Sequence, residues 1–291
     1  MHQRKPVLAL WLWLGAITLF LFLPLPSNPI ARNWPALWRE LENFSHPVAF
    51  AWLTHLVHVA VRARHPSPAP YPYLWVVVAG AAIAASTELL QICIGRDGSF
   101  EDAANDILGI SFALLVHARA ESKQKSSRLT LGLLATAACV LASTPLAITV
   151  AAYAYRSTQA PILWQSGSML LDHFAHAQGD PYPGMAIDEP LPDWRGYQTL
   201  EVVVSNPQAW PLGLVVRVHD RRHNGEFADR YNGDFTVAAQ SVSVLAIPLT
   251  TIRDAPVRRK MDLAEIQGVI VFSEPQANDA GFVLEAIRLK F

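Results

Sequence analysis

Charge is the scarcest commodity in this 291-residue chain: Asp, Glu, Lys and Arg together make up 16% of it, against about 25% in an ordinary soluble domain. Hydrophobic residues reach 52% and the mean hydropathy is +0.22. That combination excludes a disordered chain and argues against a wholly soluble enzyme of ordinary surface. Basic excess is missing too. With 23 Lys and Arg against 24 Asp and Glu, there is no electrostatic footprint for nucleic acid. Two cysteines cannot build a disulfide framework, and Cys93 and Cys139 both lie in apolar runs, as small buried side chains do. No G-x-S-x-G, P-loop, H-E-x-x-H or C-x-x-C occurs anywhere.

What charge there is clusters late. Residues 1–155 hold 11 basic and 8 acidic residues, whereas residues 156–291 hold 12 and 16. The later part also lacks any apolar run of the roughly 20 residues that a bilayer demands. A membrane part followed by a water-exposed part is the expectation, with the boundary at Tyr155–Arg156. Five apolar segments mark the spans: 6–26, 44–61, 73–94, 103–118 and 129–155. Lys and Arg bias sets the orientation. With the N-terminus inside, the inner segments carry eight basic residues (Arg4, Lys5, Arg62, Arg64, Arg119, Lys123, Lys125, Arg128). The outer loops carry three, Arg32, Arg39 and Arg96. Five spans then place the C-terminal part outside the cell membrane.

This orientation brings polar residues from three segments to one depth. His46 starts the second span at its outer end. Glu88 and Gln91 share a face in the outer third of the third span, and Arg96 follows in the outer loop. Asp102, Asn105 and Asp106 open the fourth span, where Asp102, Asp106 and Gly109 share one helical face. An ionisable group such as Glu88 costs about 2.5–3.5 kcal/mol at a span centre, so it faces protein or water. Arg96 is the expected centre of this cluster, because its forked donors match carboxylates. Interhelical glue is the bland reading of the same residues. A metal site of His46, Glu88 and Asp106 would have no contiguous ligand spacing, and no cofactor is expected.

The run from Glu88 and Gln91 through Arg96 and Asp102 to Asn105, Asp106 and Gly109 resembles the signature of VanZ-like membrane proteins. His46 with Phe50 resembles that family's start of the preceding helix. Asp106 stands where the family usually has Asn, and Pro47 where an aromatic is usual. The resemblance covers about residues 6–120 and implies a role at the cell envelope, in a family named for glycopeptide-antibiotic resistance. It implies a four-helix membrane domain over 1–120, then a loop and fifth span over 121–155.

From Trp164 onward, short alternating runs punctuated by turn residues predict strands at 197–205, 212–219, 235–239, 242–248, 269–273 and 282–289, with one helix-like piece at 262–266. The expected fold of 156–291 is an all-β antiparallel sandwich of jelly-roll type. The runs 200–207, 214–220, 229–232 and 284–289 resemble galactose-binding-like sandwiches, carbohydrate-binding modules among them. In that setting Trp194, Trp210, Asp220, His223, Arg230, Tyr231 and Asn232 are candidate sugar contacts. Aromatic faces stack on sugar rings while Asp, Asn and Arg match hydroxyls. Read one at a time, the aromatics suit a core equally well, and Arg230 a pair with Asp220 or Asp229.

Two function classes follow. One is a non-enzymatic envelope protein of the inner membrane, whose partners are the lipid bilayer and an envelope glycan or glycolipid. The other is a membrane enzyme or transporter for a lipid-linked substrate, with Glu88 or Asp102 as base or ion ligand and Arg96 holding an anionic group. Binding is favoured, because no nucleophile–base pair is recognisable.

Overall fold

The computed structural model describes residues 29–64, 73–78, 80–82, 86, 100–179, 181–273 and 281–291. Two units emerge from it, residues 1–149 and residues 150–291.

The first unit is helical. Helices α1 (Pro29–Asn33), α2 (Pro35–Arg64) and α3 (Phe100–Glu121) lead into α4 (Lys125–Thr158). Helices α2 and α3 pack through Phe50, Leu53 and Ile110, with Val57 and Leu114 at the margin. Gly109 makes the approach close: a Cβ there would lie 2.3 Å from the Pro47 carbonyl oxygen and 2.8 Å from Pro47 Cα. Small residues permit such close contact between helices.

Among the described residues, two helices are long and apolar enough to cross a membrane, not five: Pro35–Ala63 and Lys125–Thr158. The expected first span and much of the third lie outside the described residues. The expected fourth span is part of α3, which carries Glu101, Asp102 and Asp106 in its first half and Arg119 and Glu121 at its end. Those charges keep it out of the apolar class.

Among its described residues, the second unit holds nine strands in two antiparallel sheets. One has the order β1 (Ile162–Gln165), β9 (Val283–Lys290), β4 (Thr199–Asn206), β7 (Ser241–Pro248). The other runs β2 (Ala175–Gln178), β3 (Gly184–Ile187), β8 (Ile266–Ser273), β5 (Leu212–Asp220), β6 (Tyr231–Val237). Period-two alternation builds the core between them. Leu212, Leu214, Val216 and Val218 of β5 point inward with Leu200, Val202 and Val204 of β4, while Arg217 and His219 take the opposite face of β5. Each such fully buried aliphatic side chain contributes about 1.5–3 kcal/mol. Two short helices, α5 (Met169–Asp172) and α6 (Leu249–Asp254), complete the unit.

The expected strands 197–205, 212–219, 242–248 and 282–289 coincide with β4, β5, β7 and β9 to within a residue or two. The expected 235–239 strand starts earlier, at Tyr231, because the Tyr231 ring folds over Gly233 and fills the space a side chain would take. The helix-like expectation at 262–266 is overturned. That segment is a turn leading into β8, held by Asp262 Oδ1 on the Ala264 N–H at 3.1 Å, and the helix is at Leu249–Asp254 instead.

Candidate functional site

The β unit has two faces that turn away from its core. On the four-stranded sheet, Glu201 pairs with Arg288 at 2.8 Å and Lys290 at 2.9 Å, and Val242 and Val244 are exposed beside them. Glu201 thus has two cationic partners. The five-stranded sheet differs.

On that sheet the cross-strand register places Arg217 of β5 opposite Asn232 of β6 and Ile270 of β8. His219 faces Gly268, and Phe272 faces Gly184. The glycines are needed: a Cβ at Gly268 would lie 2.3 Å from His219 Cε1, and one at Gly184 only 2.7 Å from Phe272 Cβ. Each ring thus lies over a bare stretch of neighbouring strand. The Arg217 guanidinium stacks 4.9 Å over Phe272, and its Nε donates to Asn232 Oδ1 at 3.3 Å. Tyr182 meets the same Phe272 ring edge-on at 5.6 Å and stays half exposed. Arg230, just before β6, stacks 5.4 Å over the exposed Phe227 ring.

Two polar atoms on this face have no partner. Among the described residues of the β unit, His219 Nδ1 and Arg230 Nε are the buried side-chain atoms that lack a hydrogen bond. Native proteins leave few such atoms, so each calls for an explanation. Burial pushes the His219 imidazole down to about 4, with nearby His223, Arg217 and Arg230 adding positive charge. It is neutral at neutral pH, with one nitrogen free to donate and the other to accept. Burial also lowers the Arg217 and Arg230 guanidinium groups, and Arg230 lowers Arg217 further by charge repulsion.

The expected sugar contacts divide sharply. Arg230 and Asn232 lie on this face, and His223 borders it with its ring 5.2 Å from His219. Trp210 sits 39% exposed in the β4–β5 loop, at the opposite end of β5 from Asp220. Trp194 is a correction: it is 0% exposed and its indole N–H donates to the Leu191 carbonyl at 2.7 Å, so no sugar reaches its faces. Tyr231 is also core, packed over Gly233. Asp220 is the third. It is fully buried and held by Arg259 through Nη1 at 2.5 Å and Nη2 at 2.7 Å. Arg259 also grips Asp229, at 2.6 Å through Nε, which makes Arg259, not Arg230, the partner of both aspartates. Arg217, His219, Tyr182 and Phe272 were not among the expected contacts. Polar residues alternating with Val216 and Val218 on β5 are the signal that marks Arg217 and His219 in the sequence.

In the helical unit, the structure brings together His46, Asp102 and Asp106. His46 Nδ1 lies 3.0 Å from Asp106 Oδ1 and its Nε2 lies 3.8 Å from Asp102 Oδ1. Asp106 is fully buried, and its Oδ2 has no partner among the described residues. Asn105 turns elsewhere, towards a smaller cavity of about 230 Å³ with Glu40, Asn43 and Glu101. Glu88, Gln91 and Arg96 lie outside the described residues. A second polar cluster was not expected: Glu121 accepts from Tyr73 Oη at 2.8 Å and from Arg62, with His58 3.5 Å away and stacked on His117. No group of residues able to hold a metal ion occurs among the described residues.

No family model matches the chain, and no curated protein does. Solved structures give low-scoring likenesses to parts of the chain. A structure described as PfGH50B is 12% identical, covers 38% of this chain and has a TM-score of 0.31; the match spans 19% of that protein's length. The family 11 carbohydrate-binding module from Clostridium thermocellum, in complex with a β-1,3-1,4-mixed-linked tetrasaccharide, is 18% identical. It covers 39% of this chain and 71% of its own, with a TM-score of 0.29. The module of the same family from the cellulosomal cellulase Lic26A-Cel5E is 17% identical over 39% of this chain and 69% of that one, at 0.26. At scores this low the sandwich assignment rests on the strand order and register described above: residues 150–291 carry a nine-stranded, two-sheet antiparallel β unit behind a helical one.

Proposed function

We propose that this is an envelope membrane protein whose β unit binds glycan or glycolipid on the outward face of its five-stranded sheet. One observation carries the reading. The two buried polar atoms of the β unit without a partner, His219 Nδ1 and Arg230 Nε, fall on the same face, beside the exposed rings of Tyr182 and Phe227. A sugar supplies both halves of what that face lacks: hydroxyls for the unanswered nitrogens and an apolar ring face for the aromatics.

The bilayer part of the proposal rests on α4. Leu129, Leu133, Leu134, Val140, Leu141 and Ile148 are all exposed along it, a pattern that suits a lipid-facing helix. The basic bias puts the β unit on the outer side. Phosphatase and GFP fusions at Phe291 read this directly: phosphatase activity without fluorescence is expected, and the converse reverses the topology.

Detergent-solubilised full-length protein is expected to bind a subset of an envelope-glycan array, and His219→Phe is expected to weaken that binding. The substitution keeps a ring over Gly268 and removes both nitrogens. A neutral hydrogen bond corresponds to about 0.5–1.5 kcal/mol, so the loss is about three- to tenfold. Stability should not fall. The native pKa lies near 4 and the unfolded one near 6.5, so wild type loses stability as pH drops from about 6.5 to about 4. His219→Phe should lose less over that window. Unchanged affinity for every bound glycan would remove His219 from the site.

A second reading draws on Asp106. A fully buried carboxylate with one unanswered oxygen needs a further partner, and Arg96, shortly before α3 in the sequence, is the residue proposed for it. A transporter or enzyme acting on a lipid-linked substrate would then use the His46, Asp102 and Asp106 cluster.

A further inference from the structure

We infer that the glycan bound on the five-stranded face is acidic, its anionic group held between Arg217 and Arg230; this rests on the glycan reading above. Every other partly buried charge in the neighbourhood has an opposite number: Arg259 has Asp220 and Asp229, Arg221 has Glu265 at 3.7 Å, and Arg222 has Asp262 at 3.4 Å. Arg217 and Arg230 have aromatic rings and an amide, and no carboxylate among the described residues. Each is partly withdrawn from water, and Arg230 raises the cost of charge on Arg217. Two like charges gathered in a partly desolvated place without counter-ion are unfavourable in the free protein. An arriving carboxylate or phosphate relieves both at once.

The geometry suits such a ligand. Arg217 spends Nε on Asn232, which leaves its two terminal nitrogens to donate. Stacking on Phe272 and Phe227 holds both guanidinium planes in place, so little side-chain freedom is lost on binding. The neutral imidazole of His219 adds a hydrogen bond of either polarity, and the exposed Tyr182 ring offers a stacking surface. Asp234, the outward-facing carboxylate of β6, is exposed and opposite Val215, two residues along the strand from the Arg217–Asn232 pair. It favours recognition of one anionic group at the Arg217–Arg230 end over general polyanion binding.

The test uses full-length protein in detergent and measures affinity for three polymers: polygalacturonate, the same polymer after carboxyl reduction, and a phosphomannan. Binding to polygalacturonate or to phosphomannan is expected, and which of the two binds identifies the anion as carboxylate or phosphate. Carboxyl reduction should weaken binding by about tenfold or more, the scale of one charge-assisted hydrogen bond. Arg217→Gln and Arg230→Gln should each reproduce that loss, whereas Lys290→Gln, on β9 of the four-stranded sheet, should not. Equal, measurable affinity for the reduced and unreduced polymers, with no tighter binding to phosphomannan, overturns the inference while leaving glycan binding standing. So does an equal loss in all three variants, which signals diffuse charge attraction. Failure to bind any glycan, neutral or acidic, overturns both. The comparison of reduced with unreduced polymer needs only wild-type protein, so the inference stays testable if an arginine variant misfolds.

Discussion

Replacing Arg259 by alanine should unfold the β unit more readily than any other single surface-proximal change, by about 3–5 kcal/mol, the usual cost of leaving a buried ion without its partner. Asp220 has no exposed surface, and one arginine satisfies both its oxygens as well as Asp229. The Asp262 backbone N–H on Asp220 at 2.7 Å would remain, which is too little for a full charge. Replacing Asp220 and Arg259 together by apolar residues of like volume should recover much of the loss, because the desolvation cost disappears with the charges. The network also sets an acid limit. The Arg259 contact holds Asp229 down at about 2, and Asp220 is lowered by the same arginine after burial is overcome. Depressed carboxylates stabilise the native state above their unfolded pKa of about 3.9 and lose that contribution as pH falls towards the native value. Thermal melts should therefore show a drop below pH 4 in wild type that is much smaller in the double variant. Additive single effects, with no recovery, would mean that the network contributes no coupling energy.

Gly109→Leu should disrupt the helical unit with comparable force. Any Cβ at this position meets the Pro47 backbone, which cannot rotate away as a side chain tip can. Even Gly109→Ala must push α2 from α3, and overpacking of this kind costs about 1–3 kcal/mol. Leucine would add a branched side chain where no volume exists. The shift would also part His46 from Asp106, since His46 is next to Pro47 and Asp106 lies one turn from Gly109. Detergent melts of the full chain should show a graded loss, leucine beyond alanine. Equal stability of all three would mean that α2 and α3 do not meet at Pro47.

The face shared by Asp102, Asp106 and Gly109 was legible because helical spacing alone aligns them, and His46 does meet both aspartates. Its expected hub, Arg96, lies outside the described residues, and no helical spacing in the sequence ties it to that face. In the β unit, alternation identified β4, β5, β7 and β9, each eight or nine residues long. Strands β1, β2 and β3 have four residues each, too few for a period of two to stand out. Aromatic type misled at Trp194 and Tyr231, because a sugar platform and a core present the same residue types in sequence. Alternation was the better guide. On β5 it sets Arg217 and His219 apart from four inward aliphatics, a signal stronger than any aromatic in the region.

Side-chain footprinting by hydroxyl radicals, on full-length protein with and without the best-bound array glycan, tests the glycan-binding face most directly. Tyr182 and Phe227 are open to label in the free protein, and Val242 and Val244 on the opposite sheet are equally open. Glycan should protect Tyr182 and Phe227 and leave Val242 and Val244 unchanged. Protection of the valines with Tyr182 and Phe227 still labelled would contradict the assignment of the site to the five-stranded sheet.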